Sequence, residues 1–138
     1  MWGERGESIE LVGWDVPAVV RRGEPFEITL YYRTLAPLDR PWAIFVHIDS
    51  ISARARHQGD HEPLGGTCPT SIWEPGDFLV DRFTTTIKPT YVPAGRYAVW
   101  IGFYTGWPPN WRNFEVSAAP AAMQDANGRI KITDLNVE

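Results

Sequence analysis

Apolar and polar residues alternate with a period of two along much of this chain. In the segment 26–33, Phe-Glu-Ile-Thr-Leu-Tyr-Tyr-Arg, every second residue from Phe26 onward is large and apolar. Successive side chains of a β-strand point to opposite faces, so this pattern predicts a strand with one face in a core. The segments 41–49 and 96–104 carry large apolar residues on both parities, which is typical of strands covered on both faces.

Turn-forming residues separate these apolar segments. The chain contains 12 Gly and 12 Pro, clustered between short apolar runs, as in all-β proteins. The pattern predicts strands within 9–16, 26–33, 41–49, 78–88, 96–104, 111–116 and 129–137. About seven regularly spaced strands favour an all-β fold, an immunoglobulin-like antiparallel β-sandwich.

The length of 138 residues fits a single domain, 1–138, with its strands within 9–137. Residues 50–73 are polar and rich in turn formers, and a loop of this length in a compact domain is expected to be ordered. No stretch approaches about 18 consecutive apolar residues, so no membrane insertion by this chain is expected.

The charge and the cysteine content of the chain limit which partners and which sources of stability are expected. The chain has 13 Lys plus Arg against 17 Asp plus Glu, a net charge of −4, which argues against nucleic acid as a partner. The single cysteine, Cys68, cannot form an internal disulfide, so stability must come from the core.

Gly65-Gly66 is a turn rather than a phosphate loop, and no strand-turn-helix elbow carries a nucleophile. The sequence therefore predicts neither a cofactor nor an enzyme.

Two turns predict structural roles for aromatic residues. The segment 73–77, Trp-Glu-Pro-Gly-Asp, places Pro and Gly at the central positions of a type II turn. We expect Trp73 to be buried beside that turn. Tyr97 follows Gly95 by two residues and resembles the corner tyrosine of immunoglobulin-like sandwiches, whose hydroxyl bonds the backbone at a turn.

The histidines raise the question of a metal site. His57 and His61 have the spacing of many zinc ligands, and Cys68 lies seven residues further on, with His47 at the end of a predicted strand. This spacing brings two imidazoles together only on a helix, however, and Gly59 between them indicates a turn. Incidental histidines in a solvated loop are the favoured interpretation. The rival hypothesis is a small metal-dependent hydrolase that uses His47, His57, Asp60 and His61.

Asp81 shares strand parity with the apolar Leu79 and Phe83, so its carboxylate is expected to face the core. A buried charge without a partner costs several kcal/mol, and Asp81 should therefore have one. His47 shares parity with Phe45, and we predict that it forms a structural clasp with Asp60 or Asp81. Such a pair is more often an internal polar contact than a catalytic dyad.

Seven tryptophans are many for a chain of this length. Trp14, Trp42 and Trp100 lie within or beside predicted strands and are expected to fill the core or a second layer. Trp107 and Trp111 flank Pro108-Pro109-Asn110, and exposed indoles on a stiff loop favour binding to flat faces of sugars or peptides. The alternative is that Trp111 turns inward and leaves no platform.

A series of short motifs resembles a known family. In chain order they are Phe-Val-His-Ile-Asp (45–49), Gly-Asp-His-Glu-Pro (59–63), Pro-Thr-Ser-Ile-Trp-Glu-Pro-Gly-Asp (69–77), Asp81, Pro-Ala-Gly-Arg-Tyr (93–97) and Ile-Gly-Phe-Tyr (101–104). This order resembles the C-terminal β-sandwich domain of bacterial membrane glycosyltransferases of the dolichyl-phosphate-mannose mannosyltransferase-like group. The resemblance covers about residues 9–137, and the 69–77 stretch is its most specific part.

The resemblance implies an extracytoplasmic, non-catalytic module of the cell envelope. The catalytic carboxylates of that family lie in its membrane-embedded part, so none is carried over to this sequence. The resulting hypothesis is an accessory or binding module that contacts a glycan or a protein partner. Its alternatives are the metal-dependent hydrolase and a purely structural domain without a ligand.

Overall fold

The computed structural model describes residues 1–3, 8–106, 110–117, 119, 123–125 and 127–138. These residues form nine β-strands and two short 3-10 turns. The strands are β1 (Ile9–Asp15), β2 (Val19–Val20), β3 (Pro25–Thr34), β4 (Ala43–Ser50), β5 (Arg56–Gln58), β6 (Phe78–Thr86), β7 (Gly95–Thr105), β8 (Arg112–Asn113) and β9 (Ile130–Val137). The 3-10 turns, Pro63–Gly66 and Thr70–Ile72, lie between β5 and β6.

The strands form two sheets that pack face to face. The first sheet has the order β1-β3-β6, and the second has the order β2-β9-β7-β4-β5 with β8 paired to β7. All pairs are antiparallel except β2 with β9, which is parallel. The predicted β-sandwich is confirmed.

The core lies between the sheets and contains large aromatic rings. The fully buried large side chains are Trp2, Trp42, Tyr32, Tyr97, Phe103, Ile9, Ile28, Leu30, Ile44, Ile48, Ile87 and Ile101. The ring of Trp2 packs edge-on against Phe103, with centroids 5.0 Å apart, and its Nε1 donates a hydrogen bond to the carbonyl oxygen of Gly128 at 3.0 Å. Trp2 therefore anchors the N-terminus, a role that its polar neighbours gave no reason to expect.

Both predicted turn roles are confirmed. Gly76 has φ +92°, and the Asp77 N–H donates to the Glu74 carbonyl at 2.9 Å, as a type II turn requires. Trp73 beside it is only 3% exposed. The Tyr97 hydroxyl donates to the carbonyl oxygen of Pro93 at 2.6 Å, which ties the start of β7 to the preceding turn.

Some local predictions were wrong. Trp42 fills the core, but Trp14 is 38% exposed because it lies near the end of β1, beyond a register shift between Leu11 and Gly13. Trp100, by contrast, agrees with the predicted second layer: it is half buried, and the Arg129 guanidinium carbon lies 4.4 Å from its ring centroid. Of the strand predicted over 111–116, only Arg112 and Asn113 form a strand, β8, and the Phe114 N–H adds one backbone hydrogen bond to Phe103 of β7. In the described part of the chain, no helix is long and apolar enough to cross a membrane.

The positive φ of Gly76 leads to a stability prediction. No atom lies within 4 Å of a Cβ built on Gly76, so Gly76→Ala introduces backbone strain without a clash. We expect it to lower the free energy of unfolding by about 1–2 kcal/mol, measured by urea denaturation.

The matched control is Gly13→Ala. Gly13 lies outside the left-handed region, and its new methyl group would make only an ordinary contact, 3.9 Å from Tyr31 Cδ2. A change within about 0.5 kcal/mol is expected there. Equal effects of the two substitutions would contradict the turn assignment.

Candidate functional site

The segment 59–62 extends the second sheet beyond β5. The Gly59 N–H donates to the Val46 carbonyl at 2.8 Å, and Ile44 and His61 exchange two backbone hydrogen bonds of 2.9 Å. The segment therefore lies antiparallel to β4 as an added piece of edge. Its side chains follow strand alternation, so Asp60 and Glu62 share one face and His61 has the other.

Residues with the parity of Asp60 face outward from the second sheet. On the neighbouring strands this outer face carries Ala43 and Tyr104, which are cross-strand partners. Together with Asp60 and Glu62 they line a cleft of about 560 Å³ at the end of the sheet. The other lining residues in the described part of the chain are Pro41, Thr105, Gly106 and Trp111.

Aromatic rings form one side of the cleft. Trp111 is 60% exposed and meets Tyr104 nearly perpendicularly, at a 79° interplanar angle with ring centroids 6.5 Å apart. An indole in this position presents a large apolar surface to solvent. The alternative prediction, that Trp111 turns inward, is wrong, and Trp107 lies outside the described residues.

Carboxylates form the other side of the cleft. Asp60 Oδ1 accepts the Val46 N–H at 3.3 Å, and desolvation raises the pKa of Asp60 above its ordinary value, although this hydrogen bond opposes the shift. Burial raises the pKa of the Tyr104 phenol, and the negative charges of Asp60 and Glu62 raise it further. No lysine or arginine belongs to the described lining, so the cleft is negative.

His61, on the opposite face of the same segment, contacts the first sheet. Its Nε2 lies 2.6 Å from Asp81 Oδ2, its Nδ1 lies 2.8 Å from the Gly59 carbonyl oxygen, and its ring stacks on Phe83 at 4.0 Å. Asp81 is fully buried, and its other oxygen accepts the Leu64 N–H at 2.9 Å. As expected, Asp81 faces the interior and has a partner. The prediction that this partner is His47 was wrong, because His61 takes that position.

His47 lies elsewhere because its strand parity directs it outward. It is the cross-strand partner of Trp100 and Gln58, it stacks on Phe45 at 4.7 Å, and its Nδ1 is 3.5 Å from the Arg129 guanidinium. Burial, followed by the positive charges of Arg56 and Arg129, lowers the pKa of His47 to about 4. Among the described contacts, His47 bonds neither Asp60 nor Asp81.

The residues of the hydrolase hypothesis divide between two faces. His57 is paired with the core-facing Ile48, and its Nε2 lies 2.7 Å from the Thr85 hydroxyl in the first sheet. His61 points to the same side, whereas His47 and Asp60 face outward, so the four do not converge on one ion. Cys68 is half buried, and the described residues contain no group of three His, Cys, Asp or Glu side chains that could hold a metal.

Comparison with known proteins finds a solved structure of similar fold but no matching sequence family. No family model matches the chain. No curated protein matches it either. The crystal structure of the C-terminal domain of Wzt is similar, with a TM-score of 0.64 and 13% sequence identity over 99% of this chain and 76% of that one.

At this identity the likeness to the Wzt domain shows the shared β-sandwich fold alone. These comparisons do not support the resemblance to membrane glycosyltransferases that the short motifs suggested.

The three histidines should titrate differently. Burial alone would lower the pKa of His61, but the hydrogen bond and charge of Asp81 and the Gly59 carbonyl outweigh it, so the pKa is raised from 6.5. Burial lowers the pKa of His57. We therefore expect NMR titration of the imidazole protons to find His61 still charged at a pH where an ordinary histidine is neutral, and His47 neutral down to about pH 4.

Assignment of the curves follows from His47→Gln and His61→Gln, each of which should remove one curve. A His61 that loses its proton below the ordinary histidine value would contradict the geometry described for the Asp81 contact.

Proposed function

We propose that this domain is a non-catalytic glycan-binding module and that the cleft between Trp111 and the carboxylates of Asp60 and Glu62 is its binding site. The observation that carries the proposal is the combination of a 60% exposed indole with outward carboxylates in one cleft of about 560 Å³. That volume lies within the range of small-molecule binding sites.

The two sides of the cleft match the two kinds of surface on a sugar ring. The C–H face of a pyranose is apolar and stacks on an indole, whereas its hydroxyl groups donate hydrogen bonds. Carboxylates accept such bonds strongly, because a charged acceptor roughly doubles the strength of a hydrogen bond. Glu62 is exposed and belongs to the cleft lining, so its carboxylate can accept hydrogen bonds from a ligand there.

The cleft is also held in shape before a ligand arrives. Backbone hydrogen bonds fix 59–61 against β4, and Tyr104 lies within β7. Rigid walls lose little conformational entropy on binding, which favours affinity for a ligand with weak individual contacts.

The accessory role has a second, independent support. The similar Wzt structure is that of a C-terminal domain, so a sandwich of this kind occurs as one part of a larger protein. A location outside the cytoplasm at the cell envelope stays a prediction that depends on the motif resemblance alone.

Binding to neutral trisaccharides of mannose, galactose and rhamnose tests the proposal. We expect saturable binding of at least one trisaccharide by isothermal titration calorimetry. Trp111→Ala should weaken it about tenfold or more, equivalent to about 1.4 kcal/mol, because the stacking surface is lost. Glu62→Gln should weaken it less, since the amide keeps one acceptor oxygen.

Trp14→Ala is the matched control, because Trp14 is also partly exposed but belongs to β1 in the first sheet. It should leave the affinity unchanged. Absence of binding in the parent protein, or equal losses in Trp111→Ala and Trp14→Ala, would reject the cleft as a glycan site.

A further inference from the structure

The segment 59–62, which supplies the acidic wall of the cleft, contacts the first sheet through the His61 side chain. Asp60 and Glu62 point into the cleft, and His61 between them points to β6. A displacement of His61 must therefore move both carboxylates, because the three residues share one short stretch of backbone.

With Asp81 as a carboxylate, the hydrogen-bond geometry of His61 is satisfied by two ring protons. The Gly59 carbonyl oxygen at 2.8 Å from Nδ1 is an acceptor only, and the Asp81 carboxylate at 2.6 Å from Nε2 is also an acceptor when ionised. Both ring nitrogens donate only in the imidazolium form. When the imidazolium loses one proton, one ring nitrogen has a lone pair in place of its N–H. That nitrogen still faces an acceptor oxygen, so its hydrogen bond is lost.

Asp81 fixes the segment at a second point. Its Oδ1 accepts the Leu64 N–H at 2.9 Å, and Leu64 has φ +52°, a left-handed conformation that is unfavourable for a residue with a side chain. The Asp81 carboxylate thus stabilises both ends of 61–64. If the imidazolium is lost, the strained backbone at Leu64 favours release of the segment.

Few other charges act on this pair. His61 is influenced by Asp81 from β6 and by Asp60 from its own segment, with Glu62 next in the chain. Arg56 of β5 acts on Asp60, and the buried hydroxyl of Tyr32 in β3 is influenced by Asp81. The described surroundings of the imidazole are thus mainly negative, and they favour its charged form.

We propose that His61 and Asp81 are positioning residues that make the cleft sensitive to protonation: the imidazolium holds 59–64 against β6 so that Asp60 and Glu62 face the ligand. The proposal rests on the proposed function, because it concerns the same cleft. Ligand affinity should fall as the pH rises through the pKa of His61. It should also fall at acid pH, where Asp60 takes up a proton and its oxygens become weaker acceptors.

The first test needs no ligand and no variant. Backbone amide shifts of Gly59, Glu62 and Leu64 are followed by NMR alongside the imidazole protons of His61 while the pH is raised from about 5 to about 9, which spans histidine titration. Amide shifts with the midpoint of His61 support the proposal. Unchanged amides, or amides that follow only the acidic titration of Asp60, overturn it.

The second test measures affinity for the mannose, galactose and rhamnose trisaccharides across the same pH range. The affinity of the parent protein should fall about threefold or more as the pH rises above the pKa of His61. The reason is that the charged and neutral forms of His61 correspond to two states of the cleft with different affinity. His61→Gln should bind more weakly and show no alkaline loss, because glutamine can donate to Asp81 without titrating. Glu62→Gln should bind more weakly yet keep the alkaline loss.

The outcomes separate the two proposals. If no trisaccharide binds at any pH, the proposed function fails, and the amide shifts still decide whether His61 controls the segment. If binding occurs and His61→Gln keeps the alkaline loss of the parent, the positioning role is overturned while the glycan site stands. Asp81→Asn serves as an additional variant only if its circular dichroism spectrum matches the parent, since Asp81 is buried.

Discussion

The buried carboxylate of Asp81 is the constraint on which the arrangement of the site depends. A charge enclosed between two sheets is tolerated only when hydrogen bonds and an opposite charge compensate for lost hydration. β6 supplies the carboxylate but no donor of its own to satisfy it. Its donors, His61 Nε2 and the Leu64 N–H, come from the loop between β5 and β6, which must therefore cross from the second sheet to the first.

Strand alternation turns this internal requirement into an external surface. Because 59–61 pairs with β4, the side chain that reaches inward to Asp81 has neighbours that must point outward. The polar interior and the acidic wall of the cleft are thus two faces of one segment. The same short backbone segment therefore carries both the buried His61–Asp81 contact and the outward carboxylates of Asp60 and Glu62.

The sequence was sufficient for features that depend on local pattern. The alternation in 26–33 identified β3, the Pro75-Gly76 pair identified the type II turn, and the parity of Asp81 indicated a buried charge with a partner. Choosing between His47 and His61 required strand register, because His47 lies on the outer face of β4. Trp2 gave no periodic signal, and β2 with two residues and β5 with three were too short to show alternation.

The cleft illustrates why a site is harder to predict than a fold. The loop Pro108-Pro109-Asn110 between Trp107 and Trp111 indicates an exposed indole, but the opposite wall of the cleft comes from residues about 50 positions earlier, which sheet pairing brings beside it. The sequence pattern around Asp60 and Glu62 does not indicate that they line one cleft with Trp111. This chain shares its fold with the Wzt domain at 13% identity, and a shared fold does not determine which residues form a site. The cleft itself brings together three separate parts of the chain, 41–43, 60–62 and 104–106 with Trp111, which strand pairing holds side by side.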